Sequence, residues 1–123
     1  MNSNSLSQTI IGSCIEVHKE LGPGLLESTY EQCLAHELNL RGINFRLQQS
    51  MPVNYKGIKL DCGYRIDLVV EETIILELKS VQSINDVHKA QLLTYMKLSG
   101  MKIGLLINFN VTKLVNGIKR FVL

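Results

Sequence analysis

The chain has 123 residues, 46% of them hydrophobic and 20% charged, with a formal net charge of +2. That length suits one domain around one continuous core, and the composition argues against disorder. The small net charge argues against nucleic-acid binding through bulk electrostatics, so any basic footprint has to be local.

The three cysteines, Cys14, Cys33 and Cys62, are widely spaced. They form no CxxC pair of the kind that holds zinc or carries redox chemistry, and buried, reduced thiols are expected. The opening Met-Asn-Ser-Asn-Ser lacks the basic and apolar regions of a secretory leader. No apolar run nears the roughly 20 residues that span a bilayer. The expectation is a cytoplasmic protein with no membrane partner. A GxSxG elbow, a Cys–His signature and a GxxxxGK[ST] loop are all missing, which removes the common signals for acyl transfer and nucleotide binding.

In chain order, Ile10, Ile11, Cys14, Val17, His18 and Leu21 recur at helical spacing and predict a first helix over Ser7–Leu21, ended by Gly22-Pro23-Gly24. His18 reads as a core or boundary histidine, since one isolated imidazole specifies no site. A second helix is predicted over Leu25–Arg41, with Leu26, Tyr30, Cys33, Leu34 and Leu38 as its buried face and Gly42 as its stop. Glu27, about 100° around the axis from Leu26, flanks that face. Ile43–Leu60 is extended with a turn at Tyr55-Lys56-Gly57, and Pro52 suggests an edge or a bulge. Two strands follow, Tyr64–Val70 and Ile74–Lys79. A third helix is predicted over Ile84–Leu98, with Ser83 as N-cap and Asp86 three residues on. Lys102–Phe109 contains the apolar run of a strand covered on both faces, and Ile118–Leu123 is a last strand. The order ααβββ(β)αββ implies a single α/β (α+β) domain over residues 1–123, one central sheet flanked by helices.

The hairpin after residue 63 carries the chemistry. By strand alternation Tyr64, Ile66, Leu68 and Val70 share one apolar face with Ile74, Leu76 and Leu78 across the turn. The other face holds Arg65, Asp67 and Val69, then Ile75, Glu77 and Lys79. A three-residue loop, Glu71-Glu72-Thr73, pairs Val70 with Ile74 and sets Asp67 opposite Glu77; a two-residue loop would mix apolar and charged positions on both faces. Opposed carboxylates repel unless solvent or a cation separates them. Two readings therefore stand: a solvated face neutralised by Arg65 and Lys79, or a site where Asp67 and Glu77 hold Mg²⁺ through oxygen ligands beside the ammonium of Lys79.

Asp67, followed after nine residues by Glu77-Leu78-Lys79, resembles the D…(D/E)xK signature of the PD-(D/E)xK nuclease superfamily. Gly24-Leu25-Leu26-Glu27-Ser28-Thr29-Tyr30 is similar to the GxxExxY signature of a family of small proteins within it. The resemblance runs from the first helix to Leu106-Ile107-Asn108-Phe109. It implies a restriction-endonuclease-like core with a mixed sheet. It also implies a Mg²⁺ (or Mn²⁺) site on Glu27, Asp67, Glu77 and the Leu78 carbonyl, with Lys79 as the catalytic lysine. Gln91-Leu92-Leu93-Thr94-Tyr95 resembles the QxxxY helix motif of RecB-type exonucleases; residues four apart share a helix face, so Gln91 and Tyr95 would both look toward the site or the DNA. Ile66 stands where the superfamily's proline would be.

The reading that follows is a Mg²⁺-dependent nuclease acting on DNA, with Arg65, Lys89 and Lys97 as candidate phosphate contacts against an ordinary solvated role for the lysines. The rival readings are a binding module without catalysis and a structural or regulatory subunit. The chain has little beyond the core fold to grip a duplex, which implies a homodimer, a partner protein or a lost activity.

Overall fold

The computed structural model describes residues 1–123. Three helices, α1 (Ser3–Leu21), α2 (Glu27–Leu40) and α3 (Asp86–Ser99), accompany seven strands. The strands are β1 (Phe45–Ser50), β2 (Val53–Tyr55), β3 (Ile58–Leu60), β4 (Arg65–Val70), β5 (Ile74–Lys79), β6 (Ile103–Asn108) and β7 (Ile118–Val122). Five build one mixed sheet in the order β1-β4-β5-β6-β7, while β2 and β3 pair only with each other. β5 and β6 are parallel, joined through α3, and the other neighbours in the sheet are antiparallel. The architecture is the expected α/β fold, consistent with a restriction-endonuclease-like core.

The apolar stripes explain the layers. Leu6, Ile10, Cys14 and Val17 of α1, with Tyr30, Leu34 and Leu38 of α2, bury against Leu68, Val70, Leu76, Leu78, Leu105 and Ile107 of the sheet. On the other face Leu92, Tyr95 and Met96 of α3 pack on Ile66, Val69, Ile75 and Leu106. β6 is buried along its whole length, as its apolar run predicts. Fully burying each such side chain contributes roughly 1.5–3 kcal/mol.

The helix starts differ from expectation. α1 begins at Ser3, not Ser7, because the Asn2 side chain accepts from the Ser5 amide at 2.8 Å. α3 is capped by Asn85, not Ser83, and His88 closes the capping box by accepting from the Asn85 amide at 3.1 Å. Leu26 sits at the N-cap of α2 and is exposed, so it leaves the buried face assigned to it. Cys62 is also exposed, and Cys33 only half-buried. Cys14 is buried as expected, and burial pushes its thiol up to about 12. His18 is a core histidine, its Nε2 2.8 Å from the Val111 carbonyl. No helix is long and apolar enough to cross a membrane.

The hairpin register is the expected one, with Val70 opposite Ile74 across a three-residue loop. The loop has no glycine, and Glu71 and Glu72 take left-handed backbone themselves (φ 52° and 53°). The Asn44 amide donates to the Glu71 carboxylate, and the Thr73 hydroxyl to the Glu71 carbonyl, which helps hold the turn. The face assignment changes at one point. Ile66 packs with α3, whereas Leu68 packs with α1 and α2. Between them the β1–β4 ladder skips Gln48, which the register places opposite Asp67 and which has φ 49°. A left-handed residue twists the strand pair locally and interrupts simple alternation.

Gly117, just before β7, fixes the far end of the sheet. A Cβ there would lie 2.2 Å from the Asn108 carbonyl oxygen, a backbone atom that cannot step aside. Gly117→Ala is expected to cost about 3 kcal/mol or more in urea unfolding, since overpacking against backbone has no rotamer escape.

Candidate functional site

The site forms where two strands part. The β4–β5 ladder runs Val70–Ile74, Val69–Ile75, Leu68–Leu76 and then stops. Beyond it, side chains bridge the strands. The Asp67 amide donates to Glu77 Oε1 at 3.2 Å, and the Leu78 amide donates to Asp67 Oδ2 at 2.8 Å. Each carboxylate thus accepts an N–H from the opposite strand, and the two acids converge in the gap.

Both are desolvated. Glu77 is buried, which pushes its carboxyl up to about 8, with repulsion from Asp67 adding to the effect. Burial likewise raises Asp67, and Glu27 repels it further, while the Leu78 amide, Gln48 and Lys79 act to lower it. Lys79 is half-buried and makes no ion pair; the chain's three pairs all lie elsewhere. An uncommitted ammonium therefore stands beside two crowded carboxylates.

Glu27, in the first turn of α2, is exposed, and its Oε2 accepts from the Ser80 amide at 3.2 Å. The loop before it is anchored by Tyr30, whose hydroxyl donates to the Gly22 carbonyl at 2.6 Å and accepts from the Leu25 amide at 3.1 Å. The Tyr30 ring stacks on Phe109 at 4.4 Å. Tyr30→Phe would leave two backbone groups without a partner. It is expected to cost about 1–2 kcal/mol in thermal unfolding and to speed amide exchange at Ser80.

Gln91 and Tyr95 share a face of α3, joined by a 3.3 Å contact from the Gln91 amide to the Tyr95 hydroxyl. Burial raises the Tyr95 phenol, and the charges of Glu77, Tyr64 and Asp67 act in the same direction. Arg65 turns elsewhere: its Nη1 donates to Ser50 Oγ at 3.3 Å and to the Tyr64 carbonyl at 3.0 Å. Lys89 lies 3.9 Å from Asp86, and Lys97 is exposed.

Four residues at or near the site escape a sequence reading. The Gln48 side chain donates to Asp67 Oδ1 and to Glu31 on α2, one turn after Glu27. Glu31 is raised by its own burial and by Asp67. The four-residue spacing of Glu27 and Glu31 is the signal that marks them as face neighbours. Asn108, a polar residue ending an apolar run, clamps the loop after β5 by bonding both backbone groups of Val81. Ser80 ties the same loop to Leu25 through its hydroxyl.

A sequence model of the PD-(D/E)XK nuclease superfamily matches residues 4–121. The chain belongs to that superfamily. Among curated proteins and solved structures the comparison finds no match. PD-(D/E)XK nucleases generally use divalent metals, and the donor set here fits a hard cation. Two oxygen-bearing side chains converge in a desolvated gap where their mutual repulsion has no ion pair to offset it. No three acidic, histidine or cysteine side chains are grouped to hold a metal ion, and the Glu27 carboxylate accepts from the Ser80 amide.

Proposed function

We propose that the chain is a nuclease that hydrolyses phosphodiester bonds of DNA with Mg²⁺ or Mn²⁺. The observation that carries this reading is the convergence of Asp67 and Glu77 where β4 and β5 part, with Lys79 unpaired beside them. Membership of the PD-(D/E)XK superfamily supports the reaction class. Asp67 and Glu77 would hold the ion, with Glu27 reorienting from Ser80 and the Leu78 carbonyl as further ligands. A bound divalent ion lowers the pKa of its water and polarises the scissile phosphate. Lys79 orients the attacking water and offsets charge that builds on the phosphate. Gln91 and Tyr95 offer an amide and a phenol to the substrate backbone, and Arg65, Lys89 and Lys97 supply charge for flanking phosphates. A second copy or a partner protein would help to grip a duplex, and the protein acts in the cytoplasm.

The engagement of Glu27 with Ser80, away from Asp67 and Glu77, favours a second reading: a module that binds nucleic acid without cutting it. Incubation of plasmid and linear DNA with Mg²⁺ or Mn²⁺, with and without EDTA, separates the two. Cleavage that EDTA abolishes supports the nuclease. Retention of DNA without any cleavage, indifferent to EDTA, supports the module.

A further inference from the structure

Residues 53–65 form a surface of which the proposed reaction uses only Arg65. β2 and β3 pair with no strand of the main sheet, and their turn at Lys56-Gly57 is left-handed at both positions (φ 47° and 88°). That is the backbone of a tight type I′ hairpin. Its apolar side chains face solvent: Tyr55 is 57% exposed and Ile58 56%. Exposed apolar side chains that serve no core are available as a contact surface.

The charge of this stretch is one-sided. Lys56, Lys59 and Arg65 stand against Asp61 alone, and Asp61 Oδ1 is already occupied by the Gly63 amide at 3.1 Å. The stretch by itself accounts for the chain's net charge of +2, and the remaining residues carry acids and bases in equal number. This is one local basic footprint that the bulk charge does not reveal; residues 87–123 carry six further bases and no acid. The Lys56 ammonium sits 5.3 Å from the centre of the Tyr55 ring, so a cation and an aromatic face are offered together. A nucleotide presents the complementary pair, a phosphate and a base.

The stretch also leads into the site. Tyr64 is 46% exposed, and its ring centre lies 6.3 Å from that of Tyr95, which packs in one cluster with Ile66, the residue before Asp67, and Ile75, two before Glu77. Three residues along the chain from Tyr64 is Asp67. Exposed rings are useful to a nucleic acid whose base faces are free; in a duplex interior those faces are already stacked.

We propose that the β2–β3 hairpin and Tyr64 form an arm that takes an unpaired DNA strand, bases on Tyr55 and Tyr64 and phosphates on Lys56 and Lys59, and leads it to the gap between β4 and β5. This rests on the nuclease reading and narrows its substrate to single strands or frayed ends. The test is fluorescence anisotropy of the full chain in EDTA with labelled oligo(dT) and with the matching dT·dA duplex. The single strand is expected to bind more tightly. Tyr55→Ala and Tyr64→Ala each weaken it about tenfold, whereas Tyr64→Phe, which keeps the ring, binds as wild type. The Lys56→Ala/Lys59→Ala double variant lowers the slope of log affinity against log salt by about 1.4, from roughly 0.7 per phosphate contact. Equal binding of duplex and single strand, or wild-type affinity in both tyrosine-to-alanine variants, overturns the arm. So does binding of neither oligonucleotide, which would turn the surface over to a second copy of the chain. Normal binding by the tyrosine variants, with Mg²⁺-dependent cleavage intact in the wild type, removes the arm and leaves the nuclease standing. Tyrosine-dependent binding with no cleavage by the wild type does the reverse.

Discussion

Lys79→Ala is expected to slow metal-supported DNA cleavage about 10²–10³-fold, the range seen when one preorganised electrostatic group is removed from a transition state. The fold should hardly register the change. Lys79 makes no ion pair, so no charged partner is stranded by its removal. Asp67→Asn is expected to cost about 10³-fold or more, because it removes a charged oxygen from the ion's binding set. Asparagine keeps a carbonyl oxygen for the Leu78 amide, and it removes an ionisable group from a desolvated gap. The thermal midpoint of Asp67→Asn should therefore equal or exceed that of the wild type. Cleavage rates under single-turnover conditions, with circular dichroism melts of the same preparations, check both. Full activity in either variant removes the mechanism; lost activity with a collapsed midpoint would mean that the site is holding the fold.

The second large effect concerns stability in EDTA. Burial, and then Asp67, raise the Glu77 carboxyl from 4.5 to about 8 in the folded chain. Between those values the folded state holds a proton that the unfolded state has released, so unfolding stability falls as pH rises through that window. Below about 4.5 the group is protonated in both states and costs nothing; above about 8 the full cost is present. Glu77→Gln fixes the neutral form. Its stabilisation over the wild type should grow from near zero at acid pH to roughly 3–5 kcal/mol above pH 8, at 1.36 kcal/mol per unit. Glutamine keeps an oxygen for the Asp67 amide, so the cross-strand bond survives. Asp67 and Glu31 titrate in the same direction, which is why the comparison is with the variant and not with the wild-type curve alone. Urea midpoints across the pH range make the measurement, and a pH-independent difference would refute the buried, repelled state of Glu77.

Much of the fold is legible in the chain because its stripes are clean. The α1 and α2 faces, the buried run of β6 and the odd-length loop at residues 71–73 all follow from period and register. The opposition of Asp67 and Glu77 follows from the same pattern. What eludes the sequence depends on departures from period. Alternation assigns Ile66 to the wrong layer, because the left-handed Gln48 interrupts the strand pair beside Asp67. That same interruption brings Gln48 and Glu31 to the site, and no motif announces it. Helix starts shift because the cap belongs to whichever side chain reaches the free amides: Asn2 and Asn85 do, whereas Ser83 falls outside the helix. Tyr30 reads as one more core ring until its hydroxyl is found holding the loop that carries Glu27.

The gap between β4 and β5 as a cation site can be examined directly. A crystal soaked in Mn²⁺ and measured at the manganese absorption edge should show one anomalous peak in contact with the carboxylates of Asp67 and Glu77, with oxygens at about 2.1–2.2 Å. The Glu27 side chain should leave Ser80 to join it. A gap that stays empty at saturating Mn²⁺, or an ion bound elsewhere with both carboxylates unmoved, would contradict the account.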